Sequence, residues 1–502
     1  MKRCLQKHNI ALFSAGLAVC AALLLFSALA PEGQTMARRF AVSTAAYLSF
    51  CCAAALAGRS AKPEALYACL ALFLGIAYLF VVTPMAVPDE EHHYRMSLTL
   101  SNYLLLRFED PMSVPAYLLD FHGFARHKCV AAGCLRVLDG LLGTASDTGK
   151  TAATGLSAGG YLLFYLPQTL GVTLGRLLRL SMTSTFLLGR FFNLLFYSAC
   201  VFLAVRRTPR YKTLLGAAAM LPMALQQAAS LSYDGFTNGA ALVFTAELIS
   251  AVSGEGTMDK KQYVRLLLAG IFLAPAKGAY MTMLPLSFLI PSERFGSRRE
   301  KARYAWLLTA AGIAALAVVY LPGILSGGAS ESSALNWEGG HNYTVGYALR
   351  HPLEIIAIIL RSFAVRLPRW AFTSAGGILG GTSLVLPYWI AGCILSMVWL
   401  SGSGLCESAD GPTSKTRVCF LLAAAGTALL FLVTMLFTWT SDDRTIIQGV
   451  QGRYFIPVLP LCMIALRWKP AWKKDLRQWL PPAMAAANAL CLWLLLQYTL
   501  SH

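Results

Sequence analysis

The sequence predicts an all-α protein, a polytopic transmembrane helix bundle, and three observations predict it. Of the 502 residues, 57% are hydrophobic and only 13% are charged, whereas roughly a quarter of a soluble domain is charged. Apolar stretches of about 20 residues recur along the chain, long enough to cross a hydrocarbon core of roughly 30 Å. Strand-type alternation is absent, which argues against a membrane barrel. The expected body is one integral membrane domain over 1–502 with about 13 membrane segments, each set by that crossing length. No internal repeat stands out.

The net charge of +18 raises the question of nucleic acid as a partner. Its distribution answers it. The basic residues cluster in short loops, "RRTPRYK", "DKKQYVR", "SERFGSRREKAR" and "RWKPAWKKDLR". Lys and Arg concentrated in short loops mark the cytoplasmic side of a membrane protein. Membrane lipids, not nucleic acid, are the partners this pattern implies. Most of the 13 cysteines sit in apolar stretches, where a thiol behaves as a small hydrophobe. Cys129 and Cys134 instead share a loop, either as a disulfide or as two free thiols.

Each element follows from that orientation. "MKRCLQKHNI" opens the chain as a basic cytoplasmic end, and the apolar stretch after it exceeds a signal-peptide core, so it reads as an uncleaved span. Spans near 10–30, 40–58 and 64–84 deliver "VPDEEHHYR" to the outer face. A first large external loop, 85–159, follows, with short amphipathic helices such as "PAYLLDFHGFA". The stretch 160–180 contains Pro167, Gln168, Arg176 and Arg179. It reads better as a surface-lying or re-entrant helix than as a full span. Segments 184–205, 213–231 and 237–254 then alternate direction. The stretch 264–290 has basic loops at both ends, so it reads as a hairpin turning at "APAKGAY", where Pro275 and Gly278 weaken helix, with a single span as the alternative because the halves are short. Span 304–325 leads to a second external loop, 326–352, and to an amphipathic segment, 352–368, with Arg361 and Arg366. Further segments fall near 386–401, 418–438, 455–468 and 479–498.

Counted this way, one face gathers Asp89, Glu90 and Glu91 with His92 and His93, then Tyr233-Asp234, Lys277, and Asp442-Asp443-Arg444 ahead of Arg453-Tyr454. Carboxylates at a membrane edge serve as general bases or hold a divalent metal, whose candidate ligands are Asp89, Glu90 and His93. Arginine and lysine suit phosphate. An acidic and a basic cluster at a lipid boundary fit a lipid-phosphate donor, with Asp89, Glu90 and Asp234 as catalytic candidates. Lys277, Arg453, Tyr454 and Tyr233 are the substrate-binding candidates.

Each has a plainer reading beside it. The acidic run also caps a helix where it meets water. Asp-Gly at 234–235 also signals a turn. Lys277 can snorkel to the surface, and an interfacial Arg-Tyr pair is an ordinary anchor. Arg190 and Gln226-Gln227 interrupt spans and read as polar glue between helices. The glycines of "GVQGRYFIP" permit close backbone approach.

"VPDEEHHYR", "YLPQTLGVTLGRL", "LGRFFNLLFY", "LPMALQQAASLSYDGFTNGA", "AKGAY" and "GVQGRYFIPVLP" occur in an order that resembles a bacterial family of predicted membrane proteins of unknown function. That family is grouped with the GT-C glycosyltransferases. The resemblance runs from about residue 65 to 470. It implies a GT-C-like fold and transfer of a sugar from a polyprenyl-phosphate-linked donor to a cell-envelope glycan, lipid or protein. It places this at the outer face of the bacterial cytoplasmic membrane. Asp89 and Glu90 would match the family's external acidic motif as base or metal ligand, Asp234 a second acidic position, and Arg453 a donor-phosphate contact. Two departures stand out: the acidic loop follows a third span, and it carries two histidines where the motif usually has one. The rival class is a transporter or flippase of a lipid-linked glycan.

Overall fold

The computed structural model describes residues 33–141, 143–145, 149–156, 162–325, 341–407, 410–469 and 475–502. The expected first span, near 10–30, and positions 326–340 of the second external loop lie outside the described residues. Helices α1 (Gly33–Ala57) and α2 (Pro63–Val81) open the bundle, α2 beginning with proline at its first position. The external loop contains α3 (Glu90–Leu104), a two-stranded antiparallel ribbon β1 (Ser113–Pro115) with β2 (Thr151–Ala153), and α4 (Ala131–Gly140). The ribbon had no signal in the sequence. α3 is largely buried rather than surface-lying, with Tyr94, Leu98 and Leu100 inaccessible to solvent.

Next come α5 (Leu162–Leu177), α6 (Met182–Arg207), α7 (Lys212–Ala219), α8 (Pro222–Ala228), α9 (Asp234–Ser253), α10 (Lys260–Leu273) and α11 (Arg298–Leu325). α6 packs on α2, α5 and α9 and forms the centre of the bundle. Ser181 caps it by accepting the Ser184 N–H at 3.1 Å, which satisfies one of the orphan donors of the first turn. The chain closes with α12 (Val345–Arg350), α13 (Pro352–Ser374), a small hairpin β3 (Ile378–Leu379) and β4 (Leu384–Val385), then α14 (Tyr388–Ser401), α15 (Ser414–Trp439), α16 (Leu459–Ala465) and α17 (Leu480–Ser501).

Among the described residues seven helical stretches are long and apolar enough to cross a membrane: Met36–Ser60, α2, α6, α9, Arg298–Pro322 of α11, α15 and α17. About 13 segments are expected from the lengths of the apolar stretches and the charge of the loops between them. The expected span near 10–30 falls outside the described residues, and breaks shorten others. The stretch 213–231 divides into α7 and α8 at Met220–Leu221, ahead of Pro222. Residues 452–465 form a 3₁₀ turn and the seven-residue α16 rather than a span. α13 is helical through 374, but it carries four charged side chains and exposes Leu353, Ile356 and Leu360.

The stretch 260–290 folds back on itself. Going up α10, Tyr263 meets Tyr304 and Gly270 lies against Leu308; the 3₁₀ segment Gly278–Leu289 then descends, with Leu284 against Gly312 and Phe288 against Trp306. Lys277 stands at the tip. Buried polar groups tie the helices. Asn488 on α17 accepts the Tyr78 hydroxyl at 3.1 Å and donates to the carbonyls of Met220 and Met484 at 2.8 Å. In lipid such groups have no water to turn to, so each must find its partner in the protein. Cys129 and Cys134 are buried free thiols.

Candidate functional site

Pro88 ends the exit from α2, and Asp89 takes up a left-handed backbone (φ 64°) immediately before α3. That conformation is uncommon for a non-glycine residue and frequent where chain geometry serves a site. Successive residues of α3 are rotated by about 100°, so the three neighbouring carboxylates face three different environments. Asp89 turns to Arg453, Oδ2 to Nη2, at 3.2 Å. Glu90 turns inward to Arg190 of α6. Glu91 turns outward to Arg95 at 2.9 Å and Arg126 at 2.5 Å.

Asp234 heads α9, and its two oxygens contact two cations. Oδ1 accepts from Lys277 Nζ at 2.5 Å, while Oδ2 lies 3.2 Å from Arg453 Nε. The second contact is close enough to be an ion pair but lacks hydrogen-bond alignment, so it is electrostatic only. The result is a chain, Asp89–Arg453–Asp234–Lys277, joining four segments distant in sequence. Arg453 is 6% exposed, whereas Asp89 is 57% exposed and stands at the mouth. Among the described residues Arg453 Nη1 has no hydrogen-bond partner. A buried guanidinium with an unused donor is costly, and it is the feature of this cluster that most invites an anion.

Aromatic rings wall the cluster. Lys277 Nζ sits 3.9 Å from the centre of the Tyr454 ring and 5.3 Å from that of Tyr233. Tyr280 donates its hydroxyl to the Tyr454 carbonyl at 2.9 Å, fixing the turn that presents Arg453. His93 shares a 2.6 Å hydrogen bond through Nδ1 with the Tyr165 hydroxyl and lies edge-on to Tyr233. Burial above all, with His92 adding to it, pushes the His93 imidazole down to about 3, so it is neutral near pH 7. Burial also lowers His92, although Asp89 opposes it.

The structure thus brings together Asp89, Asp234, Lys277, Arg453, Tyr454, Tyr233 and His93. It does not bring Glu90. Both its oxygens are occupied: Oε1 accepts from Arg190 Nε and the Leu231 N–H, and Oε2 from Arg190 Nη2 and the Met85 N–H. The metal set expected of Asp89, Glu90 and His93 does not assemble, because the three point to Arg453, Arg190 and Tyr165. Among the described residues no three His, Cys, Asp or Glu side chains are placed to hold an ion. Asp442 and Asp443 lie elsewhere, with the Asp442 N–H on the His341 carbonyl and Asp443 3.5 Å from Arg444.

Sequence reasoning missed Tyr165 and the partner of Arg190. Arginine inside an apolar helix was the available signal, since a charge at membrane depth needs a counter-charge.

A family described as predicted membrane proteins, DUF2142, matches residues 142–462. The chain belongs to that family. The matched region contains Asp234, Lys277, Arg453 and Tyr454, and Asp89 lies ahead of it. No curated protein and no solved structure matches the chain. The DUF2142 assignment and the seven apolar helices together make this a membrane protein in contact with lipid.

Proposed function

We propose that the chain is a GT-C-like membrane glycosyltransferase that moves a sugar from a polyprenyl-phosphate-linked donor to a cell-envelope acceptor. The observation that carries this reading is Arg453, buried with an unused donor between two carboxylates and beside Lys277. The basic loops gather at the opposite end of the bundle. There Arg207 and Arg265 both approach Glu247, and Arg294 bonds carbonyls of 251–256. By the positive-inside rule that end is cytoplasmic and the cluster faces outward, on a bacterial cytoplasmic membrane with the N-terminus inside.

The donor phosphate takes the place of Asp89 on Arg453, with Lys277 as second cation. Asp89, freed and close to solvent, accepts the proton of the acceptor hydroxyl. The acceptor oxygen then bonds to the anomeric carbon while the bond from that carbon to the phosphate oxygen breaks, its electron pair leaving with the phosphate. Arg453 and Lys277 stabilise the charge that develops there. Asp234 holds both cations in register. No step calls on a metal.

A second reading, movement of a lipid-linked glycan across the bilayer, draws on the interrupted helix at 275–278 with Lys277 at its tip. Proteoliposomes loaded with radiolabelled polyprenyl-phosphate sugars and envelope glycan separate the two. Sugar transfer that Asp89→Asn abolishes, with protein yield unchanged, supports the transferase. Movement of the label without transfer replaces it with the flippase, and transfer undiminished in Asp89→Asn removes Asp89 as the base.

A further inference from the structure

A cavity of about 450 Å³ opens at the end of the bundle opposite Asp89 and Arg453. It is lined by Arg59, Tyr67, Lys212, Glu407, Asp475 and Arg477, among others. Asp475 is already engaged by Arg477, Nε to both oxygens at 3.0 and 2.9 Å and Nη2 to Oδ2 at 2.6 Å. Glu407 accepts the Tyr211 N–H at 2.7 Å. Among the described residues neither Lys212 nor Arg59 has an ion-pair partner, and Arg59 lies 5.2 Å over the Trp479 ring. Glu407 keeps its charge on its bond to the Tyr211 N–H, so the lining carries one positive charge in excess, and Arg59 and Lys212 are its cations outside the Arg477–Asp475 pair.

The backbone adds to that field. Pro63, Lys212 and Pro481 on the cavity wall belong to the first turns of α2, α7 and α17. Pro63, Pro481 and Pro482 have no N–H to offer and the Leu480 N–H is bonded to the Leu476 carbonyl, so of these three ends α7 is the one that presents first-turn N–H groups to an anion. Tyr67 lines the same wall. Its side chain is 2% exposed, yet its hydroxyl has no hydrogen-bond partner. The ring is fitted in place by Gly216, where a Cβ would come within 2.3 Å of it. A buried hydroxyl left unpaired on a polar wall awaits an acceptor.

We propose that this cavity is a binding site for a phosphate group, held by Lys212, Arg59 and the Tyr67 hydroxyl. Its position, at the ends of α2, α7 and α17, fits the headgroup of an anionic phospholipid of the adjacent leaflet, and the same chemistry accepts a soluble phosphate. The site is separate from the Asp89–Arg453 cluster, and it stands or falls independently of the transferase reading.

The test uses the purified full chain with two probes, dioleoyl phosphatidylglycerol and inorganic phosphate. Native mass spectrometry reads retained lipid, and thermal unfolding reads phosphate binding. Arg59→Gln and Lys212→Met alter side chains that reach solvent and leave the packing intact; Tyr67→Phe removes one oxygen. A headgroup site predicts lipid retention that falls about tenfold in Lys212→Met and about two- to tenfold in Tyr67→Phe, the range for losing a charged or a neutral hydrogen bond. Stabilisation of the wild type by inorganic phosphate, lost in the same variants with lipid retention unchanged, assigns the site to a soluble phosphate. If neither probe distinguishes the wild type from Lys212→Met and Tyr67→Phe, the proposal fails.

Discussion

Arg190 and Glu90 meet in a bidentate pair, Nε to Oε1 at 2.8 Å and Nη2 to Oε2 at 2.7 Å, with both side chains fully buried. Arg190 also donates to the carbonyls of Leu79, Val82 and Thr83 at the end of α2. Glu90 in turn accepts the N–H of Met85 and of Leu231, three residues before Asp234. One ion pair thus pins the turn that carries Asp89 and the turn that carries Asp234.

Breaking this pair on one side leaves a buried charge without its partner, which costs about 3–5 kcal/mol. Arg190→Met is expected to be worse than Glu90→Gln, because it also strands three carbonyls. Glu90→Gln with Arg190→Met together should recover only part of the loss, since those carbonyls stay unpaired. Thermal unfolding of the detergent-solubilised variants reads the order. Wild-type unfolding of either single variant would show that the pair does not hold the two turns.

Gly452 precedes Arg453 at the point where α13 crosses the chain. A Cβ there would lie 2.2 Å from Thr373 Oγ1, 2.3 Å from the Trp370 carbonyl and 2.6 Å from the Ser374 N–H group's nitrogen. Two of these are backbone and cannot rotate away. Gly452→Ala must therefore separate α13 from the turn and shift Arg453 with it. Overpacking of this kind costs about 1–3 kcal/mol. The expected result is a lowered unfolding temperature together with weakened binding of polyprenyl phosphate, read by fluorescence-labelled lipid. Unchanged binding would detach Arg453 from the anion site.

How much of this was legible in the sequence depends on distance along the chain. The helices that cross on their own apolarity, such as α2 and α15, declare themselves within 20 or so residues. The close backbone approach at Gly452 was readable because glycine next to Arg-Tyr has few other uses. The pairings were not. Arg190 and Glu90 are 100 residues apart and Asp89 and Arg453 are 364 apart, and local pattern contains no term for which buried charge meets which. Composition showed Arg190 to be glue between helices. Only the packing of α6 against the end of α2 identified its acid and so removed Glu90 from the catalytic candidates. Segment number suffered for the opposite reason: apolar runs that proline divides, as at Pro222, look continuous to a hydropathy window.

His93 gives the protein an acid-sensitive component that can be separated from its carboxylates. It is faced by His92 and Asp89 from its own stretch, Asp234 and Tyr233 from the start of α9, Arg453 from the turn after α15, and Tyr165 from α5. Its folded value is lowered to about 3, while the unfolded chain titrates near 6.5. Between these values the unfolded state binds a proton that the folded state refuses, so stability rises with pH across that window and is lost as pH falls. Between about pH 6.5 and 5 the ordinary carboxylates stay ionised, and the loss there belongs to the buried histidines, His93 and its neighbour His92, which burial also lowers. His93→Gln keeps a hydrogen-bonding group for Tyr165 but removes the titration. Unfolding temperatures measured over that interval should therefore slope less steeply in the variant than in the wild type. Equal slopes would mean that His93 binds its proton as readily in the folded protein as in the unfolded chain, and that the cavity around it is open to water.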